Sequence, residues 1–185
     1  GRKKKVAHEG PFVGSNALQS ITRSKIPTLV SKYLVQFERE GESVTRTNDA
    51  IFKRPLLATD WSGPSERALE LLISLKGLIE KAFVCHTIGV KIAKSIDKTE
   101  LHRIEKESKE RLEKYCEQLK SAGISAEPHL GAGRTIMEVI RISRDVNASM
   151  IIAGTTGKDR LHELFLGSVS HRIAGMSELP TLLVP

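Results

Sequence analysis

The sequence has 185 residues, 39% of them apolar, and a formal net charge of +7. This is enough for one packed domain with an appendage or part of a second domain. It offers no run of about 18 apolar residues to cross a membrane, and the basic start "GRKKKVAHEG" lacks the apolar stretch of a secretory leader. The positive balance invites nucleic acid. Yet one tryptophan, two tyrosines and five phenylalanines, without basic–aromatic interleaving, leave no platform for stacking bases, and nucleic acid is not the expected partner. Cys85 and Cys116 have no metal-ligand spacing and are expected to be inert thiols in a reducing cytoplasm.

Residues 1–30 repeat a later part of the chain. With a constant offset of 153, Phe12, Gly14, Ser15, Ser24, Pro27, Thr28 and Leu29 fall on identical residues within 165–183, without a gap, and Gly1 falls on Gly154. The segment is therefore expected to be the C-terminal part of a preceding copy of the domain. Residues 31–53 are long for an internal connection and are expected to be a linker, ordered at "YLVQF" and not through "EREGESVTRTND".

From Arg54 onward strands and helices alternate. "PLLATD" (55–60) predicts a buried strand, followed by a helix with Ser62 as cap, Pro64 in its first turn, and Ala68, Leu72, Leu75 and Ile79 on one face. "KAFVCHTIG" (81–89) predicts a second strand. A long helix over 98–122 carries Leu101, Ile104, Leu112, Tyr115 and Leu119 at helical intervals. A third strand (124–133), a helix (135–146), a fourth strand (148–154), a helix from about Gly167 and a last strand (180–185) complete the chain. Near-continuous apolar strands alternating with helices predict a doubly wound α/β domain with a five-stranded parallel sheet over residues 54–185. Ligands of such sheets bind at the carboxyl ends of the strands.

One loop begins at such an end. In "GTTGKDRLHELFLGS" Gly154 and Gly157 precede Gly167-Ser168 by a fixed stretch. A glycine after a buried strand lets a ring or sugar lie against the backbone. Gly167-Ser168, opening a helix, offers free amides and a hydroxyl to an anion. Turn and cap chemistry would account for each residue taken singly: Asp60-x-Ser62 and Ser168 as caps, His86 as a satisfied strand-end histidine, Trp61 as packing against a neighbouring loop.

The full pattern, Gly-x-x-Gly-(nine)-Gly-Ser, resembles the nucleotide-binding signature of the universal stress protein family. "LLATDWSGPSERAL", "VCHTIG", "HLGAGRTIMEVI" and "LPTLLVP" are similar to that family's first three strand ends and its last strand. The resemblance implies a flavodoxin-like (Rossmann-like) strand order 3-2-1-4-5, homodimers through the last strand, and a bound ATP or AMP, with Mg²⁺ accompanying the phosphates. It implies Asp60 at the adenine-ribose region, Thr87 (more often Val in the family) at the adenine edge and Gly131 on the sugar side. Gly154 and Gly157 would flank the ribose and first phosphates, with Gly167, Ser168 and the Val169 amide at the outer phosphates. Gly133 stands where the family commonly has proline. In the upstream copy Lys4 replaces the second glycine, so one competent and one degenerate site are expected.

Three functions follow as expectations. The first is a cytoplasmic stress-response regulator whose adenine-nucleotide occupancy biases a dimer or loop state. The second is a slow ATP hydrolase or phosphotransfer enzyme helped by Asp60, although no Walker motif and no nucleophile–base pair assigns a catalytic residue. The third is a nucleotide-free module for protein partners that the sequence does not identify.

Overall fold

A computed structural model describes residues 24–31, 33–38, 41–46, 50–90, 95–155 and 169–185. Strand β1 (Thr28–Val30) is followed by β2 (Tyr33–Glu38), β3 (Gly41–Arg46) and β4 (Pro55–Ala58). Helix α1 (Gly63–Ser74), β5 (Ala82–Gly89), α2 (Lys98–Ser121), β6 (Ala126–Gly133), α3 (Thr135–Asp145), β7 (Met150–Gly154), α4 (Val169–Met176) and β8 (Thr181–Val184) follow.

The main sheet runs β1-β8-β7-β4-β5-β6. Its five parallel strands, counted from β4, have the expected order 3-2-1-4-5. The sixth strand, β1, was not foreseen in the sheet and pairs antiparallel with β8. The apolar strands pack on both faces. Leu57, Val84 and Ile152 join Ala68, Leu72, Leu112 and Leu119 of α1 and α2 on one face. Leu56, Phe83 and Ile151 join Val139, Ile142 and Ile173 of α3 and α4 on the other. Each of the three strands is thus buried by alternation towards two helical layers.

The helix ends follow their sequence signals. Ser62 is the N-cap residue of α1, with Pro64 in the first turn, where its missing N–H costs nothing. Asp97 caps α2 by accepting from the Glu100 amide at 2.8 Å. Ser149 and Arg54 tie the entry of β4 to the exit of α3: Ser149 Oγ accepts from the Arg54 amide at 2.9 Å and donates to Ile51 O at 2.6 Å, while Arg54 Nη2 donates to Val146 O at 2.7 Å. At the far edge lies β6, which carries Pro128 and the Lys81–Glu127 ion pair.

The expected linker holds an antiparallel hairpin: β2 covers the "YLVQF" stretch expected to be ordered, and β3 lies in the stretch expected not to be, with Val35 opposite Val44 and Glu38 opposite Gly41. "GESVTR" is too polar to announce a strand by pattern, and cross-strand pairing overrides its weak propensity. Residues 1–23 of the repeat, together with Lys32, residues 39–40 and residues 47–49 of the expected linker, lie outside the described residues.

Candidate functional site

Strand β4 sits where the connections reverse direction: the chain moves to β5 and β6 on one side, then returns to β7 and β8 on the other. The crevice at such a reversal is the ordinary ligand position of open α/β sheets. Two of the expected site residues stand at this reversal. Asp60 follows the end of β4, and Gly154 ends β7.

The Asp60 carboxylate is a fixed, ionised group. Oδ1 accepts from the Ser62 amide at 3.1 Å, Ser62 Oγ at 2.5 Å and Ser65 Oγ at 2.7 Å. Burial pushes its pKa up, but the bonds from Ser62 and Ser65 outweigh that and hold it below the ordinary carboxylate value. The capping reading of Asp60-x-Ser62 is therefore realised in a modified form: the aspartate fastens the turn into α1 while its second oxygen makes none of these bonds.

Gly154 is glycine for a packing reason. A Cβ there would lie 2.7 Å from Pro64 Cβ and 3.0 Å from both the Pro64 carbonyl carbon and the Ser65 amide nitrogen. The start of α1 thus presses directly on the end of β7, and Ser65 borders both residues, its hydroxyl bonded to Asp60 and its amide nitrogen against Gly154.

On the α3 side, Thr87 and Gly131 are register partners across β5 and β6. A Cβ on Gly131 would come within 3.3 Å of Thr87 Cγ2, Ile142 Cδ1 and Glu138 Oε2. Glu138 was missed by sequence reasoning. Its only signal is an acidic residue in the first turn of α3, an ordinary helix-start preference. Its side chain also covers Gly133, where a Cβ would meet Glu138 Cγ at 3.1 Å, and Arg141 Nη2 holds its carboxylate at 2.9 Å. Gly133 has φ +150°, a backbone proline cannot adopt, so the β6–α3 turn takes a path different from the one a proline there would impose.

Trp61 has φ +64°, uncommon for a bulky residue. Its ring packs against His86 at 4.8 Å and edge-on to Tyr115 at 5.2 Å, with the Arg111 guanidinium 5.3 Å from its centre. It packs as a structural side chain, but on β5 and α2 and not against the neighbouring loop that was expected. His86 is satisfied as expected, its Nδ1 2.8 Å from Thr59 O. Cys85 and Cys116 are free and buried, and burial pushes their thiols up to about 12 and about 11.

Gly157, Gly167 and Ser168 lie outside the described residues; Val169 begins α4 and is 44% exposed. A groove of about 630 Å³ lies elsewhere, between Ser24, Lys25 and Pro27 on one side and Arg67, Leu71 and Val184 on the other. The described residues contain no cluster of three or more His, Cys, Asp or Glu able to hold a metal ion, and no helix long and apolar enough to cross a membrane.

Comparison with known proteins agrees with this architecture. The universal stress protein MJ0577 of Methanocaldococcus jannaschii is 26% identical over 154 residues, covering 72% of this chain and 95% of its own. Its solved structure superposes with a TM-score of 0.66, covering 72% of this chain and 96% of that one. Two further structures share the fold: a universal stress protein in complex with cAMP (19% identity, TM-score 0.53, 71% and 95% of the chains) and one from Archaeoglobus fulgidus in complex with dAMP (18%, 0.52, 73% and 99%). The family profile itself matches residues 52–185, from the approach to β4 through the whole parallel sheet and the crevice at its reversal, and the chain belongs to the universal stress protein family.

Proposed function

We propose that residues 54–185 bind an adenine nucleotide, ATP or AMP, and that occupancy biases the state of the loop between β7 and α4 as a regulatory signal in a stress response. The observation that carries the reading is the convergence of an ionised Asp60 and Gly154 at the sheet's reversal. A carboxylate there suits ribose hydroxyls or an adenine amino group, both donors, and not a phosphate. Thr87 and Gly131 would bound the base and sugar. Gly157, Gly167, Ser168 and the Val169 amide would receive the phosphates, with Mg²⁺ riding on them. The complexes of related folds with cAMP and dAMP support an adenylate as ligand. Buried free thiols accord with a reducing compartment, and the cytoplasm is the proposed location.

The test is to acid-denature the purified protein, identify released nucleotide by chromatography, and titrate ATP and AMP calorimetrically. Near-stoichiometric binding is expected. Asp60→Ala should lose about tenfold in affinity, as for one charge-assisted hydrogen bond of about 1.5 kcal/mol. A Gly167→Glu, Ser168→Glu variant should release no nucleotide. Binding should also slow amide exchange in residues 155–169. A wild type that carries no nucleotide and takes up neither ligand would defeat the proposal.

A further inference from the structure

Helix α3 starts at the carboxyl end of β6 and runs back along the sheet, and its inward stripe changes character at that start. Ile142 is 4% exposed, in the cluster with Phe83 and Cys85 of β5. One turn nearer the helix start the same stripe carries Glu138, where an apolar residue would extend the core. On β5, Thr87 follows Cys85 by two residues and so lies on the same face of the sheet. The core therefore gives way to polar groups at Thr87 and Glu138.

Glycines clear the space for the Glu138 side chain. A Cβ on Gly131, the register partner of Thr87, would stand 3.3 Å from Glu138 Oε2 and 3.3 Å from Thr87 Cγ2. A Cβ on Gly133 would stand 3.1 Å from Glu138 Cγ. The side chain folds back onto β6 and is 20% exposed, held by Arg141, whose Nη2 donates to Oε2 at 2.9 Å. Oε1, 3.4 Å from Arg141 Nε, is the more weakly held oxygen.

The strands set an order along the crevice. Neighbours in the sheet run β7, β4, β5, β6, and Gly154, Asp60, Thr87 and Gly131 stand at or near their carboxyl ends in that sequence. From β7 to the gap between β5 and β6 is two to three strand spacings, about 10–14 Å, a span that a mononucleotide covers. With phosphates at the β7 end and ribose hydroxyls at Asp60, the base comes to lie over β5 and β6, beside Glu138. A carboxylate only accepts hydrogen bonds. The free ring nitrogens of adenine in a nucleotide also only accept, so its exocyclic amine is the donor the base brings.

We propose that Glu138 is a specificity-determining residue: its carboxylate accepts a hydrogen bond from the exocyclic amine of the base and selects adenine nucleotides over purines that lack the amine. The proposal rests on the nucleotide-binding reading of this crevice and adds the group that reads the base. Asp60 is left to the ribose.

The test is a cycle that deletes the amine from the ligand and the carboxylate from the protein. AMP and purine riboside monophosphate, which has hydrogen in place of the amine, are titrated calorimetrically into wild type, Glu138→Ala and Glu138→Leu. Wild type should bind AMP about tenfold more tightly, the usual worth of one hydrogen bond to a charged group. Each variant should bind the two ligands within about twofold of each other, as for uncoupled changes. Glu138→Leu prolongs the apolar stripe of Ile142 and so keeps the fold should Glu138→Ala lose it. A role in stability alone would weaken both ligands equally and leave their ratio at about tenfold. That unchanged ratio, or a wild type with no preference for AMP, would overturn the proposal. A wild type that binds neither ligand would overturn the nucleotide reading, and this proposal with it.

Discussion

Gly154 and Pro64 meet across β7 and α1 so closely that a single added carbon on Gly154 would lie 2.7 Å from Pro64 Cβ. Backbone atoms of Pro64 and Ser65 stand at 3.0 Å, so a rotamer change cannot relieve the clash. Gly154→Ala should destabilise the protein by about 1–3 kcal/mol, the usual cost of overpacking. At about 2–4 °C per kcal/mol for a chain of this size, the melting temperature should fall by roughly 2–12 °C. An unchanged melting temperature would show that α1 does not press on β7 as described.

Asp60 couples the same turn to pH. Its folded-state pKa lies below its ordinary value, the net of burial raising it and Ser62 and Ser65 lowering it further. A depressed carboxylate contributes stability that is complete above its unfolded pKa, about 3.9, and fades as pH falls through the lower folded value. Asp60→Asn should therefore be less stable than wild type at pH 7, and the gap should narrow as pH drops below about 3.9. Denaturant titrations of both proteins at several pH values check this; a gap independent of pH would refute it.

His129 and His171 act in a different window. Burial lowers both pKa values, in His129 against an opposing pull from Glu127. Each favours the neutral folded form, so stability should be full above about pH 6.5 and decline as pH falls through that value towards the lowered ones. Thermal melts at pH 7.5 and 5.5 should show the loss. The His129→Gln, His171→Gln variant should show a flatter profile, and an equally steep one would assign the loss to other groups.

The cysteines give a folding readout. With both thiols buried and pushed up to about 12 and about 11, little thiolate is available near neutral pH. The native protein should resist alkylation at pH 8, and both thiols should react when denaturant unfolds it. Fast labelling of native Cys85 would contradict its burial between β4 and β6.

Much of this fold is legible in the order of the amino acids. Ile151 and Ile152 in an unbroken apolar run, or Leu112, Tyr115 and Leu119 on one helical stripe, carry their burial in local periodicity. The places of Asp60 and Gly154 at strand ends were legible, because the apolar runs of an expected parallel sheet stop just before or at them. Their joint contact with the start of α1 was not, since Pro64 lies 90 residues from Gly154 and periodicity names no partner. Glu138 was invisible for the same reason: an acidic first-turn residue looks solvated until Gly131 and Gly133 are seen beneath it. The β2–β3 hairpin lacks an apolar alternation in its second strand. The antiparallel seat of β1 could not follow from a repeat alone, which fixes likeness and not placement.

A sheet in solution must also cope with strangers, because an unpaired row of amides and carbonyls can recruit any extended chain. Here one margin is covered by β1, and β6 forms the other. Pro128 brings no amide hydrogen to that margin, and the charges of Glu127 and Lys81 lie beside it. Proline and charge at an outermost strand are how sheets resist accretion of further strands. Unseating β1 would bare the apolar margin of Thr181–Val184, the side of the sheet from which fibrous growth would start.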